Sequence, residues 1–395
     1  MIGEAISMRS LRTLWYDTRI RAGVLQLVLA GLVVGTIWWL INNTITNLAA
    51  RGMNVSFAFF SQAARFPISE HVLDYNPSDS FAWAFVIGLI NTLLVSAVVI
   101  VLSTIAGFLL ALARRSRHPL LTGAAKTYIE VIRNTPLVVH LLFWYLLLIT
   151  ALPNTRHAFQ PLPHLFLSTR GVFLPAFTIE GQAGWWLLSA LFAAALCVLA
   201  TIIPAYRNRI ARHAGPVGPF AVIAAAATLF FGAWLAEGLS LSPDLPELRG
   251  LNYRGGIQLT PEFSALILGL VVYKTAFIAE IFRGGLNAVG HGQWEAGRAI
   301  GLKDRDTLRL IILPQALRVI VPPMASQYLT AVKNTTVALA VGYPDLSGIV
   351  GTVINQSGRA LEGFSVMIVI YLVISLSVAG FMNWYNGHVA LKGGR

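Results

Sequence analysis

Apolar and polar positions alternate along this chain on a long wavelength: oily runs divided by short charged segments. Runs long enough to cross a bilayer, about 20 residues, lie near residues 24–41, 84–112, 136–152, 185–204, 218–236, 263–282, 315–341 and 364–383. The pattern predicts about eight transmembrane helices. The third run is short, and Arg318 and Lys333-Asn334-Thr335-Thr336 interrupt the seventh. One charged segment has an internal order of its own: Glu295-Ala296-Gly297-Arg298-Ala299-Ile300-Gly301, continued to Ile311-Ile312-Leu313-Pro314. Ala296, Ala299 and Ile300 share a helical face at i, i+3 and i+4 spacing. Gly301 is placed to close that helix in a left-handed conformation. Asp304 is expected to cap a second helix, with Leu308, Ile311 and Ile312 on one face, and Pro314 to end or kink it. Taken alone, such a segment reads first as an ordinary amphipathic helix at a membrane surface.

Composition changes the picture by excluding soluble folds. Of 395 residues, 56% are hydrophobic and 12% charged, with a mean hydropathy of +0.68. A soluble fold needs more polar surface than this. The expected class is an all-α polytopic membrane protein, with the lipid bilayer as its first partner. The net charge of +12 invites a nucleic-acid reading. Lys and Arg are scattered between the apolar runs, however, and form no basic stripe, so no nucleic-acid partner is expected. With the N-terminus inside, cytoplasmic segments hold 19 Lys and Arg against 8 outside. The positive-inside bias favours that orientation and puts the Glu295 segment in the cytoplasm. Basic residues precede the run from Val24 with no Ala-x-Ala site after it, which reads as a retained first span. Cys197 is the lone cysteine, a small packing residue within an apolar run.

No phosphate loop of the form Gly-x-x-x-x-Gly-Lys-Ser/Thr occurs, so ATP hydrolysis by that mechanism is not expected of this chain. Nor do His-Glu-x-x-His, paired Cys/His spacings or Gly-x-Ser-x-Gly. No catalytic residue, cofactor or metal site is expected; His291 and Glu295, four residues apart, lack a third ligand. Charges within spans cost about 2.5–3.5 kcal/mol at the centre and default to functional candidates. Lys274 lies midway along the sixth span and Glu280 further towards the cytoplasm. About 240° and 9 Å apart on one helix, they cannot pair readily. Lys274 is either a pathway-facing ammonium or a snorkelling lysine. Glu280 is either a ligand group or an ion-pair partner of Arg283 at i+3.

The full spacing around Glu295 resembles the EAA signature of bacterial ABC importer permeases: Glu-Ala-Ala, three residues, Gly, nine residues, Ile-x-Leu-Pro. Glu295, Ala296, Gly301, Ile311, Leu313 and Pro314 stand at the matching places, and Gly297 stands where the family usually has Ala. The likeness widens to polar amino-acid importers through Ile87–Leu93, Arg114-Arg115-Ser116, Tyr128 to Leu137, Tyr273 to Gly285 and Lys333-Asn334-Thr335-Thr336. It implies a type I ABC importer permease core over residues 84–385. An inserted pair of spans lies at about 153–262, preceded by an N-terminal segment at 1–83 and followed by a cytoplasmic tail at 386–395. The extra N-terminal span and the insertion resemble the larger permease subunit of general L-amino-acid importers.

The resemblance implies a bacterial inner-membrane permease for L-amino acids. Its implied partners are a second permease in a heterodimer, two cytoplasmic ATPases and a periplasmic amino-acid-binding protein. Glu295–Gly301 with Arg298 would couple to the ATPases, and Lys274, Glu280, Asn334 and Thr335 are candidates for the translocation pathway. A permease for another small polar solute, a channel and an ion-coupled carrier stay open as alternatives.

Overall fold

The computed structural model describes residues 18–50, 55–116, 118–180 and 240–389, with the isolated positions 52, 224 and 228. In chain order the helices begin with α1 (Thr18–Ala50), α2 (Phe81–Arg114), α3 (Pro119–Asn134) and α4 (Leu137–Ala151). Strands follow: β1 (Phe159–Leu162), β2 (Leu165–Ser168), β3 (Gly171–Leu174), β4 (Ala176–Glu180), β5 (Ser240–Asp244), β6 (Glu247–Arg249), β7 (Asn252–Arg254) and β8 (Ile257–Leu259). The chain continues with α5 (Pro261–Ala288), α6 (His291–Ala299), α7 (Asp304–Thr307), a π turn (Leu308–Ile312), α8 (Leu313–Asn334) and a 3-10 segment (Thr335–Ala340). It closes with α9 (Leu346–Ser357) and α10 (Ala360–Val389).

Among the described residues five helical stretches are long and apolar enough to cross a membrane, or six if a bent pair counts as one span. The expected spans at 185–204 and 218–236 lie outside the described residues, but for the isolated positions 224 and 228. The short third run expected at 136–152 is α4, and α3 precedes it at a bend of 106°. Proline explains the break: Pro136 disfavours the helical region for Thr135, which sits extended at φ −99° and ψ 131°. The strands are also additional to the expected helices. They pair as a four-stranded sheet in the order β1-β2-β3-β8 and as two ribbons, β4-β5 and β6-β7.

The chain divides into two compact units, residues 1–94 with 344–395 and residues 95–343. In the first, Phe59, Phe66 and Tyr75 of the segment before α2, with Phe81 at the start of α2, pack with Leu346, Ile349 and Val353 of α9. Gly88 lets α2 approach α9 closely: a Cβ there would lie 2.9 Å from Ile349 Cγ1. Asn91 Nδ2 donates to the carbonyls of Glu70 and Pro344, at 2.8 and 2.9 Å. Asp345 caps α9 by accepting from the Gly348 N–H at 2.8 Å, and Gly358 ends it at φ 69°.

In the second unit α5 is central. Thr260 caps it, Pro261 opens it and Glu262 sits favourably in its first turn. Leu266 and Leu270 of α5 join Val95, Val99 and Leu141 in one buried cluster. Further along, Ile278 and Leu286 pack with Ile312, Ala316 and Ile320. Gly285 admits Ile320 at a distance no Cβ would permit. In the strand region Phe166, Phe173 and Tyr253 form a ring cluster, and Glu180 pairs with Ser240.

Candidate functional site

The charged segment folds as a helix, a turn and a second helical start, as its residues suggest. α6 ends at Ala299 with Ile300 as its cap, and Gly301 follows at φ 81°. Its N–H donates to Arg298 O at 2.9 Å, while Leu302 N–H donates to Gly297 O at 3.0 Å. That bond pair satisfies carbonyls the helix end would otherwise strand, and it requires the left-handed residue between them.

Two local expectations are corrected. Asp304 does not cap α7: Lys303 holds the cap position with no side-chain bond. Asp304 is instead the first helical residue, near the positive end of the helix dipole. Its carboxylate accepts from Arg298 Nε at 3.0 Å, closing the turn across its mouth. Of the two outcomes expected of Pro314, ending the helix does not occur: it falls in the first turn of α8, directly after the π turn, and the helical stretch runs from Asp304 to Ala340. The widened turn takes up the missing N–H and the ring bulk that would break a regular α-helix interior.

The two helical starts are fastened through one small contact. Gly297 is buried, and a Cβ on it would lie 2.5 Å from Thr307 Cγ2 and 2.6 Å from Thr307 Oγ1. Thr307 is itself fully buried, and its hydroxyl finds no hydrogen-bond partner among the described residues. Trp294, Leu308, Ile311 and buried Ile312 join the Ile320 cluster on the same side. Gln293 and Gln315 add a 3.2 Å hydrogen bond between α6 and α8. Leu313 is half-buried.

The face that shares Ala296, Ala299 and Ile300 points the other way. All three are exposed, Ile300 at 73%, and Leu310 is exposed at 63%. Glu295 is exposed too, with its carboxylate 3.3 Å from His291 Nδ1. The segment thus presents an apolar strip among charges while its back is clamped to the helical core.

The intramembrane candidates separate. Lys274 is 2% exposed, and its ammonium donates to Gln327 Oε1 of α8 at 3.3 Å. The Thr104 hydroxyl of α2 and the Tyr328 hydroxyl of α8 lie 3.1 Å apart, a second polar contact made by α8 within the apolar helices. Glu280 instead bridges two arginines: Arg283 at 2.9 Å, and Arg114 of α2 in direct contact. The Arg283 contact is the i+3 ion pair that the spacing suggests, and Arg114 adds a partner 166 residues away that spacing could not reveal. Thr335 is fully buried and donates to Val332 O at 2.8 Å, where α8 tightens into the 3-10 segment. Asn334 is half-buried at the same junction.

Comparison with known proteins bears directly on this geometry. The family model "Binding-protein-dependent transport system inner membrane component" matches residues 219–390. The chain is 42% identical over 376 residues to the "Putative amino-acid ABC transporter permease protein YhdX" of Escherichia coli strain K12, covering 94% of this chain and 95% of that protein. It is 36% identical to the "General L-amino acid transport system permease protein AapQ" of Rhizobium johnstonii, across 97% of this chain and 95% of AapQ. It is also 36% identical to the "Glutamate/glutamine/aspartate/asparagine transport system permease protein BztB" of Rhodobacter capsulatus, across 97% and 96%.

Proposed function

As the chain belongs to the amino-acid permeases of ABC importers, the inner-membrane components of binding-protein-dependent transport systems, we propose how its parts divide the work of uptake. The family supplies the membrane permease and not the ATPase, and it works with ATPase and substrate-binding components. In our reading α6 and the turn at Gly301 are the surface on which a cytoplasmic ATPase docks. The observation that carries this is the apolar strip of Ala296, Ala299 and Ile300, turned outward while Gly297 and Trp294 anchor the same helix behind it. An exposed apolar strip rimmed by charge is the form a docking surface takes.

Force on α6 then reaches the spans through two connections. Gly297 and Thr307 hold it to α7, and the π turn continues without a break into α8. ATP-driven closure of the ATPases would rock α8 against α5, the pair that also carries Lys274 and Gln327. Rocking parts that pair and turns the ammonium towards a substrate carboxylate (alternating access). Glu280 keeps a positioning role between Arg114 and Arg283, and Thr335 with Asn334 forms the junction at the end of α8. The remaining parts follow the family's logic: a second permease completes a heterodimer, and the N-terminus lies in the cytoplasm. The basic-residue bias supports that orientation.

Ile300→Asp tests the docking surface. The variant should reach the membrane in normal amount, fail to co-purify with its ATPases and lose uptake. Normal ATPase retention would refute the surface while leaving family membership untouched.

A further inference from the structure

The first unit holds a cavity of about 430 Å³ that the coupling scheme does not use. Its walls come from the segment before α2, the first turn of α2, and the end of α9 with the turn after it. Arg65 and Arg359 both line it, and among the described residues no acidic one does. Gln62, Gln356, Ser56 and Ser357 add neutral hydrogen-bonding groups. A recess of this composition suits an anion: two guanidiniums converge on it, Arg65 exposed to solvent and Arg359 half-buried, and amides can complete the hydrogen bonding.

Arg65 occupies its place against a backbone cost. Its φ of 59° is left-handed, a region that disfavours any residue with a Cβ by about 1–2 kcal/mol. Two backbone bonds hold it there: Arg65 N–H donates to Pro77 O and Ala64 N–H to Asp79 O, both at 2.7 Å. The nearby Asp79 carboxylate is turned to the Asn76 N–H at 2.8 Å. Glycine or asparagine would relax the turn, and a non-glycine residue held at such a φ is a starting point for a functional reading of its side chain. Arg359 is anchored from the opposite wall. Its Nη1 donates to Glu362 Oε1 at 3.3 Å, and that buried carboxylate also accepts the Ser56 N–H at 3.1 Å. Glu362 stays outside the cavity lining, so it orients Arg359 without filling the recess.

We propose that this recess is a carboxylate-binding site, with Arg65 supplying the charge and Arg359, Gln62 and Gln356 the surrounding donors. A planar guanidinium matches the two oxygens of a carboxylate. Under the orientation proposed above, on which the source of the ligand rests, residues 55–80 and 342–359 lie on the outer side. The carboxylate would then belong either to an acidic side chain of the docked binding protein or to a free amino acid.

The test places Gln62→Cys in a Cys197→Ala background, with the whole importer in nanodiscs so that both membrane faces meet solution. Thiol modification is timed with no addition, with sodium acetate or L-glutamate, and with substrate-loaded binding protein. At least one addition should slow modification about tenfold, the effect of one charge-assisted contact. Protection by the binding protein alone assigns the carboxylate to it; protection by acetate and L-glutamate assigns a free amino acid. Arg65→Gly should abolish the protection without lowering the thermal midpoint, since glycine is at ease at this φ. Absence of protection from every addition, or protection that survives both Arg65→Gly and Arg65→Gln, overturns the proposal. Modification in nanodiscs but not from outside intact cells would instead refute the orientation and leave the site standing.

Discussion

Replacing Gly297 with alanine should disturb coupling, and the size of the effect can be worked out. The family signature carries alanine here, so the substitution restores the common residue and also gains about 0.5–1 kcal/mol of helix propensity. Against that gain, the new methyl would stand 2.5 Å from Thr307 Cγ2, 2.6 Å from Oγ1 and 3.1 Å from Cβ. Both neighbours are buried, and overpacking of this kind costs about 1–3 kcal/mol. The two ranges overlap only at one edge, so the clash wins and α6 tilts away from α7. Thr307→Ala removes both atoms that cause the clash, along with a buried hydroxyl that has no partner among the described residues. The double variant keeps the propensity gain and lets the alanine methyl fill the vacated space. Uptake and ATPase activity should be measured on the reconstituted importer, with a thermal midpoint for each variant. The expected order is uptake lost or strongly reduced in Gly297→Ala and recovered in Gly297→Ala with Thr307→Ala, a non-additive cycle. Full uptake and an unlowered midpoint in Gly297→Ala alone would refute the fastening role of this pair.

Further outcomes are expected elsewhere in the chain. Gly301→Val should abolish uptake while the protein still reaches the membrane, because φ 81° penalises any Cβ; wild-type transport would remove the turn from the coupling scheme. Lys274→Met should impair uptake while the loaded binding protein still stimulates the ATPases, and unchanged uptake would make the Gln327 contact a packing feature only. In a Cys197→Ala background, a cysteine at Leu245 should react with an impermeant thiol reagent from outside and one at Lys303 should not; the reverse pattern would invert the topology. Burial raises the Asp345 carboxyl to about 6 from its usual 3.8, against the lowering effect of bonds from the Gly348 and Ser347 backbone. A raised folded-state value means the charged form is penalised above about pH 6, and that the penalty fades as pH falls towards 3.8. The midpoint of the wild type relative to Asp345→Asn should therefore rise between pH 7 and pH 5, and a flat difference would count against a buried, titrating Asp345.

How far the molecule could be read from its residues depended on the range of the interaction concerned. Hydropathy is a local property, and every expected span within the described residues is helical. The turn at Gly301 was equally legible, since a helix end and its left-handed closing residue lie within a few positions of each other. Short range also misled: Asp304 has the chemistry of a cap, yet Arg298 six residues earlier claims its carboxylate. Pro314 has the chemistry of a helix breaker, yet the π turn before it absorbs the fault. The strands left a fainter trace, because the short apolar runs on either side of Thr169-Arg170 and the Gly255-Gly256 turn do not stand out beside membrane spans. What no local pattern could supply are contacts between distant positions. Arg114 reaches Glu280, Lys274 meets Gln327, Glu362 takes the Ser56 N–H, and Thr307 fills the room left by Gly297. Each depends on how helices approach one another. Packing sets those approaches through side-chain volumes summed over many residues, and no single stretch of chain carries that information.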